Sequence, residues 1–307
     1  MGTIGRVFAN LKTSFLLFEI LRKIVQILFF ILFNSAIWGL TAIPVTLPIL
    51  FSSGLPFRIV DDNLSIIQKM IYDSIFPFLP FAFTFIFGIL TGRALCGWVC
   101  PLGFIQDILV FSKIKKITIS SKTHRNLLSI KYIILGLTLL VSTSLSLAQF
   151  VEGGQIYREK LGLFAQAPFT SLSPSDTLFA VVPRLFITLS FSPYLGFDYS
   201  LITPVLIVRI IILVAVLILA SYIPRSWCRY LCPQGALSAL ISRFSLLGLS
   251  RDPIRCIRAR CHTCEDVCPM KIPILSLPRE KFTDPECIYC LRCVTACPTK
   301  AIKPKFP

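Results

Sequence analysis

The apolar residues of this chain fall in uninterrupted blocks, not in the spaced stripes of helices that pack against a soluble core. Four blocks approach the roughly 20 residues that a helix needs to cross a hydrocarbon layer. They run over about Ile24–Leu40, Ser74–Leu90, Tyr132–Phe150 and Leu201–Ile223. Pro44 and Pro48 mark a kinked exit from the first, through TAIPVTLPILF. A fifth stretch, Leu178–Phe191, is shorter and carries Pro183 and Arg184 in its interior, so it reads as interfacial or re-entrant. The pattern predicts a mainly α membrane protein with four transmembrane helices.

Composition points the same way. Of 307 residues, 55% are hydrophobic and 15% charged, with a mean hydropathy of +0.77, whereas soluble domains carry roughly 25% charged residues. The formal net charge is +16, but the Lys and Arg cluster beside the apolar blocks, which marks a basic membrane face and not a nucleic-acid surface.

The charge distribution sets the expected orientation. Arg6, Lys12, Arg22 and Lys23 precede the first block with one acid, Glu19. Seven basic residues and one acid, Asp107, separate the second and third blocks, and fourteen basic against six acidic residues follow from Arg225 onward. The other two connections are slightly acidic: Ser52–Asp73 has two basic and three acidic residues, and Val151–Ser200 three and four. By the positive-inside rule both termini and every Cys motif lie on the cytoplasmic side of a multi-pass cell-membrane protein. No cleavable signal peptide is evident, so the first helix is expected to stay as an anchor.

All twelve Cys fall in four tight clusters, an arrangement typical of metal ligation and not of structural disulfides. In DPECIYCLRCVTACPTKAI, Cys287, Cys290, Cys293 and Cys297 precede Pro298 in the C-x2-C-x2-C-x3-C-P run of bacterial ferredoxins. A second run, Cys256, Cys261, Cys264 and Cys268 with Pro269, differs in having four residues between its first pair. Three thiolates of one loop reach three irons of a cubane, and the fourth serves the other cluster. Crossed in the manner of two-cluster ferredoxins, the runs give one [4Fe-4S] set of Cys256, Cys261, Cys264 and Cys297 and another of Cys287, Cys290, Cys293 and Cys268. Paired structural zinc sites are disfavoured, because zinc ribbons do not repeat four-Cys runs that end in Cys-Pro. His262 sits between two ligands of a complete set and is expected to be solvated.

Two further pairs repeat one another. GRALCGWVCPLGFIQD places Cys96 and Cys100 after the second block, and PRSWCRYLCPQGALSAL places Cys228 and Cys232 after the fourth. Each reads as a basic residue, Cys, three residues with an aromatic among them, Cys-Pro, one residue and Gly. Cys four positions apart share a helix face, and two such pairs meeting across a pseudo-two-fold supply four thiolates. The readings open for them are a shared metal or cluster site, redox-active thiols and structural Cys. The chain thus divides into a membrane domain (1–224), the second C-x3-C-P segment (225–250) and a ferredoxin-like cytoplasmic domain with two clusters (251–307).

These motifs, four helices and a following pair of ferredoxin runs resemble the NapH-type membrane iron-sulfur proteins, grouped with NosR-like and CcoG-like proteins. The resemblance covers nearly the whole chain. It implies a quinol dehydrogenase component, an electron-transfer subunit of an oxidoreductase that passes electrons between the quinone pool and a partner redox protein. Neither a large NosR-type extracytoplasmic domain nor a CcoG-type C-terminal domain is expected, so the resemblance does not by itself imply the copper-reducing role of the latter. The alternatives are a metal-maturation factor that reduces copper or another metal ion at the C-x3-C-P thiols, and a membrane anchor whose clusters act as redox sensors. The two His, His124 and His262, lie outside the spans, so no bis-His haem is expected in the bilayer. Arg209 interrupts the fourth block. An ionisable group at that depth costs about 2.5–3.5 kcal/mol, which makes Arg209 a candidate quinone or electrostatic site.

Overall fold

The computed structural model describes residues 2–33, 46–50, 61–110, 117, 119–150, 154–186, 204–257 and 261–306. The helices that frame the membrane part are α1 (Gly2–Phe33), α2 (Asn63–Tyr72), α3 (Phe78–Thr91), α4 (Ala94–Trp98), α5 (Pro101–Leu109), α6 (Ser121–Leu128), α7 (Ile130–Leu147), α8 (Pro204–Tyr222) and α9 (Pro233–Ser242). The fold is mainly helical. Among the described residues two helices are long and apolar enough to cross a membrane, Lys122–Leu147 and Pro204–Tyr222.

Burial in these helices is inverted relative to a soluble bundle. On α8 the buried positions are Leu213, Val216 and Ala220, one stripe at helical spacing, while Ile207, Ile211, Val214 and Ile218 are exposed. On α7 the buried set includes Thr138, Ser142 and Ser146, whereas Ile133, Leu137 and Leu140 face outward. The polar groups inside α7 and the branched apolar groups on the outside of both helices suit a hydrocarbon surround.

The predicted spans map onto the helices unevenly. Residues 34–40 of the first and 201–203 of the fourth lie outside the described residues. The first helix also begins at Gly2, far upstream of Ile24, and at 1.5 Å per residue it is about 48 Å long, well beyond a hydrocarbon core. The second span is shortened: Ser74 has a left-handed φ of 59°, and α3 starts only after Pro77 at its N-cap position. The third closes in a 3-10 turn at Ala148–Phe150. The fifth stretch enters the helical run 174–186, which contains a π turn at Thr177–Val181, and residues 187–191 lie outside the described set.

The tail packs as a small domain closed by an antiparallel pair, β3 (Gly248–Arg251) with β4 (Ile302–Lys305), in which Gly248 faces Lys305 and Arg251 faces Ile302. A two-residue parallel pair, β1 (Thr46–Leu47) with β2 (Asp61–Asp62), precedes α2, which is capped by Asp62 Oδ1 accepting from Leu64 N at 2.9 Å. One core cluster holds the tail together with Cys96 of the membrane part. A second gathers Ile49, Leu50, Val99, Cys100, Val216, Trp227, Cys228 and Cys232.

Candidate iron-sulfur centres

All twelve cysteines are free, and they surround three cavities. Cys256, Cys261, Cys264 and Cys297 line the outer one. Cys268, Cys287, Cys290 and Cys293 line an inner one. Cys96, Cys100, Cys228 and Cys232 line the third, together with Leu50, Arg93, Trp227 and Gln234. The first two groupings coincide with the crossed pairing of the ferredoxin runs, and the third brings the two C-x3-C-P motifs together.

The repeated motifs share one local construction. In each, the second Cys occupies the N-cap position of the following helix, Cys100 for α5 and Cys232 for α9, with Pro at the first helical position, where a missing N–H costs nothing. The Cys232 sulfur accepts from Gly235 N at 3.3 Å. The Gly103 N–H likewise favours the thiolate of Cys100. The N–H of each second Cys also reaches back five residues, Cys100 to Leu95 O at 3.0 Å and Cys232 to Trp227 O at 2.9 Å. Such π-type turns are common at functional sites.

Each motif is braced by the basic residue three positions before the first Cys of the other. Arg225 Nη1 donates to Cys96 O at 2.8 Å, and Arg93 Nη2 donates to Cys228 O at 3.3 Å. Both guanidinium groups are fully buried and paired. Arg225 makes a bidentate contact to Asp107 at 2.9 and 2.6 Å, and Arg93 binds Glu286 at 2.9 Å. Lys131 also binds Glu286, and Arg22 reaches Asp107 at 2.9 Å. Burial pushes the Asp107 carboxyl up, but Arg225 and Arg22 outweigh it and hold the group well below the usual range. Gln106 donates to the Cys228 sulfur at 3.3 Å. Burial pushes the thiols of Cys100, Cys228 and Cys232 up, with their neighbouring cysteines adding to the effect.

The donor sets fit iron-sulfur clusters. Besides the bonds to Cys100 and Cys232, Ala301 N donates to the Cys297 sulfur at 3.3 Å, and the Met270, Lys271 and Ile272 N–H groups favour the thiolate of Cys268, which burial holds at about 11. Among the described residues, no three His, Cys, Asp or Glu side chains are grouped so as to hold a single ion.

The remaining candidates lie elsewhere. Arg209 lines none of the three cavities; its Nη1 stands 3.8 Å from Asp176 Oδ2. The neighbouring Ser175 Oγ donates to Leu50 O at 3.4 Å, so this ion pair braces a segment that reaches the wall of the twin-motif cavity. His124 contacts the Tyr230 hydroxyl at 2.8 Å and Arg229 at 3.1 Å. His262 is exposed at the start of the short helix Thr263–Asp266. The reading of the sequence missed Asp107, Glu286, Gln106 and Leu50. The signal available for the carboxylates was a lone acid in a basic connection and an acid directly before Cys287.

A 4Fe-4S binding domain model matches twice, at residues 74–118 and 205–251, and a 4Fe-4S dicluster domain model matches residues 255–302. The first two matches fall on the two motif repeats. Among curated proteins, an uncharacterized protein of Methanocaldococcus jannaschii is 28% identical over 92% of this chain and 86% of its own length. The ferredoxin-type protein NapH of Haemophilus influenzae is 26% identical over 86% of this chain and 76% of its own. The regulatory protein NosR of Pseudomonas aeruginosa is 29% identical over 70% of this chain but only 25% of its own. No solved structure matches.

Proposed function

From the premise that the chain is a NapH/NosR-like iron-sulfur protein, we propose that it is a membrane-bound electron-transfer protein working between the quinone pool and a partner redox protein. The observation that carries this reading is the grouping of twelve free cysteines into three sets of four around three cavities. Cys256, Cys261, Cys264 and Cys297 would hold one [4Fe-4S] cluster, Cys268, Cys287, Cys290 and Cys293 a second, and Cys96, Cys100, Cys228 and Cys232 a third. Such clusters supply one-electron carriers whose potentials respond to nearby charge and to N–H···S bonds.

The chain's own residues prepare these sites. Arg93 and Arg225 place buried positive charge beside the twin-motif thiols, and Gln106 and Gly235 donate to their sulfurs. Cys96 shares a core with Cys290 and Tyr289, so the twin-motif set adjoins the inner set. The outer set, with Cys256 and Cys261 only partly buried, is the one turned toward a partner. In this reading the chain crosses the membrane four times, with both termini and every Cys motif in the cytoplasm. The basic segments beside the helices support that orientation. No observation favours the copper-maturation alternative.

The test is anaerobic mixing of the reconstituted protein with a short-chain quinol while the visible iron-sulfur bands are followed. Bleaching within seconds is expected, reduced in a Cys287→Ser/Cys264→Ser variant to the share of the twin-motif cluster. Absence of bleaching by quinol and of reoxidation by quinone in the wild type would overturn the proposal.

A further inference from the structure

The two C-x3-C-P motifs part company most sharply at the position after the first Cys. Between its cysteines the first reads Gly97-Trp98-Val99 and the second Arg229-Tyr230-Leu231. Gly97 lies inside α4, where glycine is a poor choice beside alanine, so backbone freedom does not explain it.

Close approach does. A Cβ added at Gly97 would stand 2.3 Å from the carbonyl oxygen of Ile288 and 3.7 Å from the Cα of Cys290. The obstacle is main chain, which cannot swing aside as a side chain can. The neighbours fix the same seam: Trp98 Nε1 donates to Tyr289 O at 2.9 Å, and Gln26 Nε2 donates to Gly97 O at 3.1 Å. Ion pairs close it at both ends, Arg93 with Glu286 at 2.9 Å and Arg292 with Glu19 at 2.8 Å. Arg229, the counterpart of Gly97 in the second motif, instead turns to His124.

We infer that Gly97 is a positioning residue whose missing side chain lets the segment Glu286–Leu291, and with it the inner cysteine set, lie in backbone contact with the twin-motif cavity. The tail is therefore a fixed part of the membrane domain and not a tethered shuttle. The consequence for electron transfer rests on the function proposed above: a one-electron step moves no bond or proton, and its rate falls steeply with separation, so a fixed seam keeps the two sets within range.

The test compares full-length wild type, Gly97→Ala and Arg229→Ala, purified anaerobically, by iron content, amide hydrogen exchange of residues 286–291 and EPR of the reduced protein. Gly97→Ala is expected to keep its iron, to exchange about tenfold faster or more in that segment, and to lose the part of the magnetic broadening that the twin-motif centre imposes on the inner one. Arg229→Ala should match wild type in that segment. Wild-type exchange and line shape in Gly97→Ala would overturn the inference. If Gly97→Ala fails to fold, Trp98→Phe removes the indole N–H bond to Tyr289 O while keeping an aromatic ring; faster exchange confined to 286–291 supports the inference and unchanged exchange refutes it. A wild-type content of about eight irons, two [4Fe-4S] clusters, would remove the twin-motif cluster, while the exchange comparison would still decide the role of Gly97.

Discussion

Arg225 donates to the carbonyl oxygen of Cys96 at 2.8 Å, joining two residues 129 positions apart. The bond ties the entry of the second C-x3-C-P motif to the first cysteine of the other, and Asp107 holds the guanidinium in place. Removing this side chain takes from the buried Asp107 carboxylate its bidentate partner and leaves Arg22 and Lys23 beside it. Arg225→Met is expected to cost about 3–5 kcal/mol, the usual result of breaking a buried pair. The check is the thermal midpoint in detergent, where Arg225→Met/Asp107→Leu should recover part of the loss. A midpoint equal to wild type for Arg225→Met would contradict the assignment.

The crossed pairing is open to a direct count. Cys256→Ser and Cys297→Ser stand 41 residues apart but line the same cavity, so each should deplete the same cluster, and the double variant should lose no more iron than either single one. Cys268→Ser should deplete the other cluster with Cys290→Ser. Additive iron losses for Cys256→Ser and Cys297→Ser would mean that they serve separate clusters.

Acid should loosen the seam before it unfolds the helices. Burial raises the carboxyls of Asp107 and Glu286, but Arg225 and Arg22 at the first, and Arg93 and Lys131 at the second, hold both below their usual values. A depressed carboxylate contributes stability that is fully present above its unfolded value of about 4 and is lost as pH falls through the folded one. Stability should therefore be flat above about pH 5 and drop below about pH 4. Asp107→Asn should lower the plateau and flatten the drop, as followed by melting against pH.

Arg209 is predicted to be a brace and not a quinone ligand. Its partner Asp176 is 3.8 Å away, and its side chain is 19% exposed. A double-mutant cycle of Arg209→Gln and Asp176→Asn should give a coupling of about 1 kcal/mol or less, with quinol-driven bleaching unchanged. A selective rise in the quinol concentration needed for half-maximal rate in Arg209→Gln would assign it to the quinone instead.

The cysteine pattern was legible because its spacing is local: three of the four cysteines proposed for each tail cluster sit within nine residues, and the twin motif announces itself by repetition. The membrane character was legible from the apolar blocks, and the inward polar positions of α7 agree with it. What the sequence hid was long-range. The pairing of Arg93 with Glu286 spans 193 positions, and nothing in DPEC names its partner. Leu50 lines the twin-motif cavity, a placement that nothing in TAIPVTLPILF announces. The second span was drawn too long because composition alone does not show that Pro77 delays the helix to Phe78. Gly97 carried a signal only in the comparison of two motifs, where one small residue replaces a large one.

The central claim is that the two C-x3-C-P motifs together hold a cluster of their own. Iron and sulfide content with EPR, on anaerobically purified wild type and on a variant with Cys96, Cys100, Cys228 and Cys232 all changed to Ser, tests it directly. About twelve irons in the wild type and about eight in the variant are predicted, four per [4Fe-4S] cluster. About eight irons in both would confine the clusters to the tail and contradict it.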